Sequence, residues 1–360
     1  MAALLRRFLL PSTPGAFRLW LALVVVFHHV TRVEVGKAPV LVFFALSGYW
    51  VHRVWTSRYQ TCRWPWLTFI ISRWWRIAPV MVLASALSLG VMAYLDDGGL
   101  ATIGAMPVRQ AFSTLFALGY AEMPVRPLGP AWSLDIEMQF YLVAPALVLL
   151  VRRVRAVVAL AAGYGIYLAG LAIYPGVVLT SFLPFFIIGM VAAEHRWTPP
   201  PRLAETGLGL TMVLTAAIIA SPWYAPLLGE GGAHWPEVNL LLAALALPQA
   251  FVSVQQRSAG RDAAWADQSY IVYMVHWPAI LLLRGIAWPS ASARALGFIA
   301  LAAAVALLAW AVRSLYDQPF NRARARWVAA RSSAAAKPCP KADDANGDDA
   351  KGDDRETVFA

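Results

Sequence analysis

Charged residues are scarce in this chain of 360 residues: Asp, Glu, Lys and Arg together make up 14% of it. Soluble domains carry about 25% charged residues, so the sequence lacks the charge needed to coat a soluble surface of its size. Hydrophobic residues make up 59%, and the mean hydropathy is +0.58. The composition therefore excludes an ordinary soluble domain and indicates a polytopic membrane protein.

Cysteine and the common catalytic motifs are also scarce. Cys62 and Cys339 have the spacing of neither a metal site nor a redox pair. No GxGxxG, P-loop, HExxH or GxSxG motif occurs. The formal net charge is +10, but no Lys/Arg run on a polar surface is interleaved with aromatic residues. We therefore expect no metal, no disulfide chemistry and no nucleic-acid partner.

Eleven apolar segments follow one another along the chain, most of them near the ~20 residues needed to cross a bilayer. Arg6 and Arg7 precede the first segment, which contains Arg18, so we interpret it as a retained span rather than a signal peptide. The segments lie at 16–32, 38–56, 66–95, 108–121, 131–151, 156–174, 176–194, 203–221, 237–254, 269–287 and 292–315.

The positive-inside rule decides how many of these segments cross the membrane. If 108–121 crossed fully, Arg152, Arg153 and Arg155 would lie outside the cell. If it is re-entrant or interfacial, these and most later basic residues lie on the cytoplasmic side. We therefore predict an all-α fold with about ten transmembrane helices plus one short re-entrant or interfacial helix, and with both termini in the cytoplasm.

The end of the chain differs in composition from the rest. From about Ser332 the residues are mainly Lys, Asp, Ala, Gly and Pro, with almost no apolar periodicity. We predict a transmembrane domain over 1–331 and a disordered acidic cytoplasmic tail over 332–360.

Ionisable residues inside membrane spans are costly and indicate function. In the first span, Arg18 and His29 are eleven residues apart, which puts them on one helical face about 16 Å apart along the axis. His28 points about 80° away from Arg18. A neutral imidazole at His29 is well suited to take a proton from a hydroxyl, whereas two interfacial histidines at a helix end are the structural alternative.

Three further clusters place polar groups in apolar segments. Arg73 and Arg76 share a helical face and suit phosphate binding, although interfacial arginines also contact lipid headgroups. Glu137 needs a partner inside its span, and Tyr141 is one turn away; a structural pairing of Glu137 with Arg or His elsewhere is the alternative. The last cluster aligns hydroxyls and an imidazole on one stripe, as in a polar cavity or a helix–helix hydrogen-bonding seam; it consists of Ser269, Tyr270, Tyr273 and His276.

Six short motifs in these segments resemble, in order, those of acyltransferase family 3, whose members transfer acyl groups from acyl-CoA to exported carbohydrates and similar hydroxyls. The spacing Arg18-x10-His29 is similar to the first-span signature of that family and selects His29 over His28. The other similar elements are VFFALSGYW at 42–50, SRWWRIAP at 72–79, WSLDIEMQFYLVAP at 132–145, SYIVYMVHWP at 269–278 and LYDQPFNR at 315–322.

The chain departs from the family pattern at two positions. Asp317 stands where glutamate is usual, and Leu41 stands where many members carry an aspartate before the paired phenylalanines. A mechanism that uses this aspartate to orient His29 is therefore not available here, and Glu34 or Glu137 would take the role. No fused hydrolase-like domain of the kind that members often carry is expected.

The resemblance implies an acetyl-CoA-dependent O-acyltransferase of the bacterial inner membrane. Arg73 and Arg76 would hold the CoA phosphates, Arg18 would draw the donor inward, and His29 would act as general base or transient acyl carrier, together with Glu137. The implied cavity residues are Trp132, Ser133, Tyr141, Tyr270, Tyr273 and His276.

The implied acceptor is a polysaccharide or its lipid-linked precursor, with polysaccharide assembly machinery as a possible partner. Two other classes remain open at this stage. A proton-coupled transporter would use the same buried Arg, His and Glu groups without acylation, and a non-catalytic membrane partner would function without His29. Within the enzyme class, the acceptor could instead be a small-molecule glycoside.

Overall fold

The computed structural model describes residues 11–31, 33–258, 260–284, 286 and 289–333. Within these ranges the fold is all-α, as predicted, and no β-strand occurs there. A π-helical segment, Val312–Asp317, joins the last two helices. We number the helices α1 Pro14–Val30, α2 Lys37–Ser57, α3 Pro65–Tyr94, α4 Gly99–Gly104, α5 Pro107–Phe116, α6 Trp132–Arg153, α7 Ala156–Ile173, α8 Leu183–Glu194, α9 Pro201–Ile219, α10 Tyr224–Leu228, α11 Trp235–Ser253, α12 Gly260–Arg284, α13 Ala291–Ala311 and α14 Gln318–Ser333.

In the described part of the chain, six helical stretches are long and apolar enough to cross a membrane: 65–94, 129–153, 156–173, 201–219, 235–253 and 296–332. Helices α1 and α8 are apolar but shorter, with 17 and 12 residues. Helices α2 and α12 have 21 and 25 residues, but polar side chains lower their mean hydropathy. These two long helices therefore carry polar groups into an otherwise apolar bundle.

The segment predicted at 108–121 forms a helix that ends at Phe116. Helix α5 has ten residues, which at 1.5 Å per residue gives a length of about 15 Å. Ala117 follows in the left-handed conformation, with φ of 52°, which ends the helix. Because the hydrocarbon core is ~30 Å thick, α5 is too short to cross it. The predicted tail lies outside the described residues from position 334 onward.

Helices α1 and α12 lie side by side and run in the same direction. The carboxylate of Asp262 caps the start of α1, accepting hydrogen bonds from the N–H groups of Gly15 at 3.0 Å and Ala16 at 2.9 Å. A Cβ atom on Gly15 would lie 1.8 Å from the Asp262 carbonyl oxygen, so only glycine permits this approach. His29 follows Gly15 by 14 residues, and His276 follows Asp262 by the same number. The two histidines therefore lie at the same level along the two parallel helices.

The helices separate into an inner and an outer group. Helices α2 and α8 cross with their backbones in contact, since a Cβ atom on Gly189 would lie 1.8 Å from the carbonyl oxygen of Ala45. By contrast, 11% of the apolar stretch of α7 and 17% of that of α9 is buried, against 56% for the stretch that contains α6. Helices α7 and α9 therefore face lipid, while α1, α2, α3, α6 and α12 enclose the interior.

Candidate active site

A cavity of about 100 Å³ lies between the inner helices α1, α2, α3, α6 and α12. We call it the arginine cavity, because Arg18, Arg73 and Arg76 line it. The structure thus brings together residues from all four polar clusters of the sequence. The other polar side chains that line the cavity are Ser47, Ser133, Glu137, Tyr141, Ser269, Tyr270 and Tyr273.

Arg76 is neutralised by two carboxylates behind the cavity wall. Its Nη2 lies 3.2 Å from Asp267 Oδ1, and its Nη1 lies 3.8 Å from Asp317 Oδ2. Asp267 also lies 3.9 Å from Nε of Arg313. Buried charges require such partners. The network joins α3, α12 and the π-helical segment. Asp317, at the position where glutamate is usual in the family that the sequence resembles, provides the carboxylate from the π-helical segment.

We expect Asp267→Asn to destabilise the folded protein, because it leaves Arg76 and Arg313 with a neutral partner. Arg76 keeps Asp317, and Asp267 is 20% exposed, so the loss should be about 1–3 kcal/mol. The thermal midpoint of the detergent-purified protein should fall by several degrees. Asp96→Asn, at an exposed position on the loop after α3, is the control. Equal midpoints for both variants would contradict the prediction.

Arg18 and Arg73 differ from Arg76, since neither makes an ion pair with any described residue. Arg73 is 4% exposed, and its guanidinium lies 5.5 Å from the centre of the Tyr59 ring. Its Nη2 donates to the Tyr59 hydroxyl at 3.5 Å, and its Nε has no partner. The Arg18 guanidinium lies 5.9 Å from the Phe43 ring. Glu137 is a carboxylate in the lining of the same cavity, and it attracts Arg18 electrostatically. The lining thus holds three guanidinium groups against this carboxylate. Because buried cations without a counter-charge are costly, the arginine cavity favours an anionic occupant.

Glu137 is held in the arginine cavity by two hydroxyl donors. Ser47 donates to its Oε1 at 2.8 Å, and Tyr141 donates to the same oxygen. Tyr141, one turn after Glu137 in the sequence, is thus one of its hydrogen-bond partners. His29 does not border this cavity, so the structure does not bring Glu137 to the histidine that it was expected to orient.

A second cavity, of about 280 Å³, contains His29. We call it the histidine cavity. His28, His29 and Glu34 border both it and a third cavity, of about 740 Å³, that extends to Arg284. His29 therefore lies where two cavities meet. The other polar or aromatic residues that line the histidine cavity are Lys37, Arg126, Trp132, Phe182, Trp235 and Tyr273.

His29 packs on a second predicted residue, His276. The two imidazole rings are stacked, with centroids 5.4 Å apart and an interplanar angle of 24°. Trp277 packs against His29 edge-on at 5.1 Å. His276 is fully buried, its Nδ1 lies 3.0 Å from the carbonyl oxygen of Val272, and its Nε2 has no partner among the described residues. The parallel register of α1 and α12 is what brings these two histidines together.

The candidate carboxylates do not contact His29. Glu34 lies 3.8 Å from Nδ1 of His28, and this nitrogen also lies 3.0 Å from the carbonyl oxygen of Val33. Leu41, at the position where the family often has aspartate, is buried in the apolar core. Among the described residues, no carboxylate forms an ion pair with His29. Ring packing on His276 and Trp277 therefore orients it.

Val40 and Tyr273 separate the two cavities, because both side chains line the arginine cavity on one side and the histidine cavity on the other. The Tyr273 hydroxyl lies 2.9 Å from Oγ of Ser133, and it donates to the carbonyl oxygen of Pro130 at 3.3 Å. This anchors Tyr273 to the start of α6. Val40 and Tyr273 therefore form a wall that the arginine cavity and the histidine cavity share.

Several residues of the site were not predicted from the sequence. Asp267 lies three positions before Tyr270 on the same helical face, and this spacing was the available signal. Lys37 and Trp235 each begin a helix, a position where such residues usually anchor the membrane interface. Nothing in the local sequence distinguishes that role from lining a cavity.

Comparison with known proteins identifies the family. The acyltransferase family 3 model, described as an acyltransferase domain, matches residues 15–314. No curated protein and no solved structure matches the chain. The matched range begins in α1 and ends in the π-helical segment, so it contains every residue that lines the arginine and histidine cavities. The chain therefore belongs to acyltransferase family 3 and is a multi-pass membrane acyltransferase.

Proposed function

We propose that this protein is a membrane-bound O-acyltransferase that moves an acetyl or other acyl group from cytoplasmic acyl-CoA to a hydroxyl of a lipid-linked or exported polysaccharide. One observation carries the proposal: Arg18 and Arg73, which make no ion pair with the residues that the structure describes, line a cavity that the layer formed by Val40 and Tyr273 separates from the cavity containing His29. An anionic donor and a reactive imidazole would thus meet from opposite sides of this layer.

The donor side is the arginine cavity. CoA carries several phosphate charges, and guanidinium groups bind phosphate oxygens through paired, charge-assisted hydrogen bonds. Arg18 and Arg73 have their charge available for this, whereas Arg76 is engaged by Asp267 and Asp317. We assign acetyl-CoA as co-substrate, with its thioester directed between Val40 and Tyr273 toward His29. No metal takes part in this scheme.

The chemistry takes place at His29. Its neutral imidazole accepts the proton of the acceptor hydroxyl while the hydroxyl oxygen attacks the thioester carbonyl carbon. The new C–O bond forms, the C–S bond breaks, and the CoA thiolate takes the proton back from the imidazolium. In the covalent variant, an imidazole nitrogen attacks the thioester carbonyl carbon, the C–S bond breaks, and the CoA thiolate leaves with the imidazole proton. The acceptor hydroxyl then attacks the acyl-imidazole, the C–N bond breaks, and the imidazole takes the hydroxyl proton. His276 and Trp277 hold the ring in position for either route.

The helix packing supports the topology that this scheme needs. Parallel neighbours α1 and α12 require an odd number of crossings between them. Helices α2, α3, α6, α7, α9 and α11 give six. We assign the seventh to α8, whose 12 residues follow the 3-10 turn Leu179–Ser181, and none to α5. With α13, this gives ten spans in the bacterial inner membrane, with residues 1–331 as the transmembrane domain. Both termini and the acidic tail, 332–360, then lie in the cytoplasm. Arg18, near the start of α1, then lies near the cytoplasmic side, where acyl-CoA is available.

Gene deletion tests the proposal. We expect the deletion strain to lose O-acetyl signals from its purified surface polysaccharide, measured by proton NMR, and to regain them when the wild-type gene is returned. A transporter would change the export of polysaccharide and leave the acetyl content per sugar unchanged. Unchanged acetylation in the deletion strain would overturn the polysaccharide acceptor.

A further inference from the structure

The histidine cavity carries more positive than negative charge around aromatic walls. Its cationic side chains are Lys37 and Arg126, and its carboxylate is Glu34. We infer that the cavity takes an acidic sugar unit, one that carries a carboxylate or a phosphate group, as the acyl acceptor. This inference rests on the proposed function, because the cavity is identified as the acceptor side through His29.

The ammonium group of Lys37 lies near two aromatic rings of the cavity wall. Its ammonium nitrogen lies 5.2 Å from the centre of the Trp235 ring and 5.8 Å from that of Phe182. Within the part of the chain that the structure describes, no hydrogen bond or ion pair satisfies this half-buried ammonium. Aromatic faces attract a cation but do not neutralise it. An anionic group on the ligand would supply the missing partner through a charge-assisted hydrogen bond.

Arg126 adds a second cation at the cavity wall. Its Nη1 donates to the backbone carbonyl oxygen of Ala121 at 2.9 Å, and it makes no ion pair with a described carboxylate. Glu34, the opposing charge, lies 3.8 Å from His28. Neither cation forms an internal salt bridge with a described residue, although Glu237 attracts Lys37 electrostatically from outside the cavity lining. Arg126 is exposed to solvent, so the half-buried Lys37 gains most from an anionic group on the ligand.

The aromatic walls account for the sugar part of the ligand. Trp132 and Phe182 pack together with centroids 5.5 Å apart, and Trp235 lines the cavity with them. Aromatic faces carry partial negative charge, so they attract the partly positive C–H groups on the face of a pyranose ring. A sugar packed on these rings would place its acidic group at Lys37 and a hydroxyl toward His29.

The test compares three acceptors that share one ring: methyl glucoside, methyl glucuronide and methyl glucoside 6-phosphate. The full-length protein is used in nanodiscs of zwitterionic lipid, so that no anionic headgroup competes. Binding is followed by tryptophan fluorescence and acyl transfer by labelled acetyl-CoA. We expect at least tenfold tighter binding of an acidic sugar than of the neutral one. The two acidic acceptors separate a carboxylate from a phosphate as the recognised group.

Variants assign this preference to Lys37. We expect Lys37→Gln to reduce the acidic-to-neutral binding ratio about tenfold and Lys37→Arg to keep most of it. Arg202→Gln, an exposed change at the start of α9, should leave the ratio unchanged. Anionic lipid added to the nanodiscs should not weaken the binding of the acidic sugars. Weaker binding would show that lipid headgroups occupy the same site, which would contradict a site for sugars.

The outcomes separate the inference from the proposed function. Equal binding of neutral and acidic sugars by the wild-type protein, or no binding of either, would overturn the inference. A preference that persists in both Lys37 variants would also overturn it. Acidic preference in binding without acyl transfer to any acceptor would instead overturn the proposed function and leave the anionic sugar site in place.

Discussion

His29→Gln is expected to lower the rate of acyl transfer by at least about 10³-fold, which is the scale of a lost general base or covalent carrier. Glutamine keeps a polar side chain of similar length but cannot accept the proton of the acceptor hydroxyl. The rate would be measured with the purified protein as acceptor-dependent release of the CoA thiol from acetyl-CoA. Donor affinity should change little, because His29 does not border the arginine cavity.

His28→Gln is the matched control, because it makes the same substitution one residue away. His28 borders the same two cavities as His29, but its Nδ1 is engaged by the carbonyl oxygen of Val33. We expect this variant to lose less than tenfold in rate. If His28→Gln were the inactive variant and His29→Gln the active one, the catalytic role would pass to His28. If both kept full activity, neither histidine would be catalytic.

The sequence predicted the members of the site better than their arrangement. Arginine, histidine and glutamate stand out in apolar segments because burying them is costly, so Arg18, Arg73 and Glu137 were identifiable without a structure. Helical spacing also placed Tyr141 beside Glu137. Both inferences need only local sequence and the periodicity of one helix.

Contacts between helices were not predictable in this way. Asp267 and Asp317 reach Arg76 from helices that are about 190 and 240 positions later in the chain, and helical periodicity sets only the face on which a residue lies. The sequence therefore suggested one cavity with Glu137 near His29. The structure has two cavities, because Val40 and Tyr273 stand between these residues.

Several helix boundaries also differ from the apolar segments, for physical reasons. The segment predicted at 269–287 begins at Gly260 as a helix, because hydropathy marks the apolar part of a helix and not its polar first turns. Those turns contain Asp262, which caps α1. The segment predicted at 176–194 becomes α-helical only at Leu183, after the 3-10 turn Leu179–Ser181, with Pro184 in the first turn, where proline is favourable.

Arg76 is paired with carboxylates, and Arg73 is paired with none that the structure describes. This difference predicts a large effect of Arg73 substitution on donor binding. Arg73→Gln is expected to raise the KM for acetyl-CoA about 10- to 100-fold, because a buried, unpaired guanidinium is available to the donor phosphates. The effect on kcat should be smaller, since Arg73 lies in the arginine cavity and His29 does not. Initial rates measured over a range of acetyl-CoA concentrations would give both constants.

Arg76→Gln is the matched control three residues away on the same face of α3. Arg76 is already paired with Asp267 and Asp317. Its removal leaves the buried Asp317 without this cation and Asp267 with Arg313 alone, so it should lower the thermal midpoint. Arg73→Gln removes a cation that no described carboxylate compensates, and its midpoint should stay level or rise. The two substitutions should therefore separate donor binding from stability.

The reverse pattern would contradict this division. If Arg76→Gln raised the KM while keeping the midpoint, the ion pairs of Arg76 would have to open when the donor binds. Ionic strength gives an independent check, because the KM of the wild-type protein should rise with salt as screening weakens phosphate binding. In Arg73→Gln that dependence should be weaker, since one of the charges that salt screens is absent.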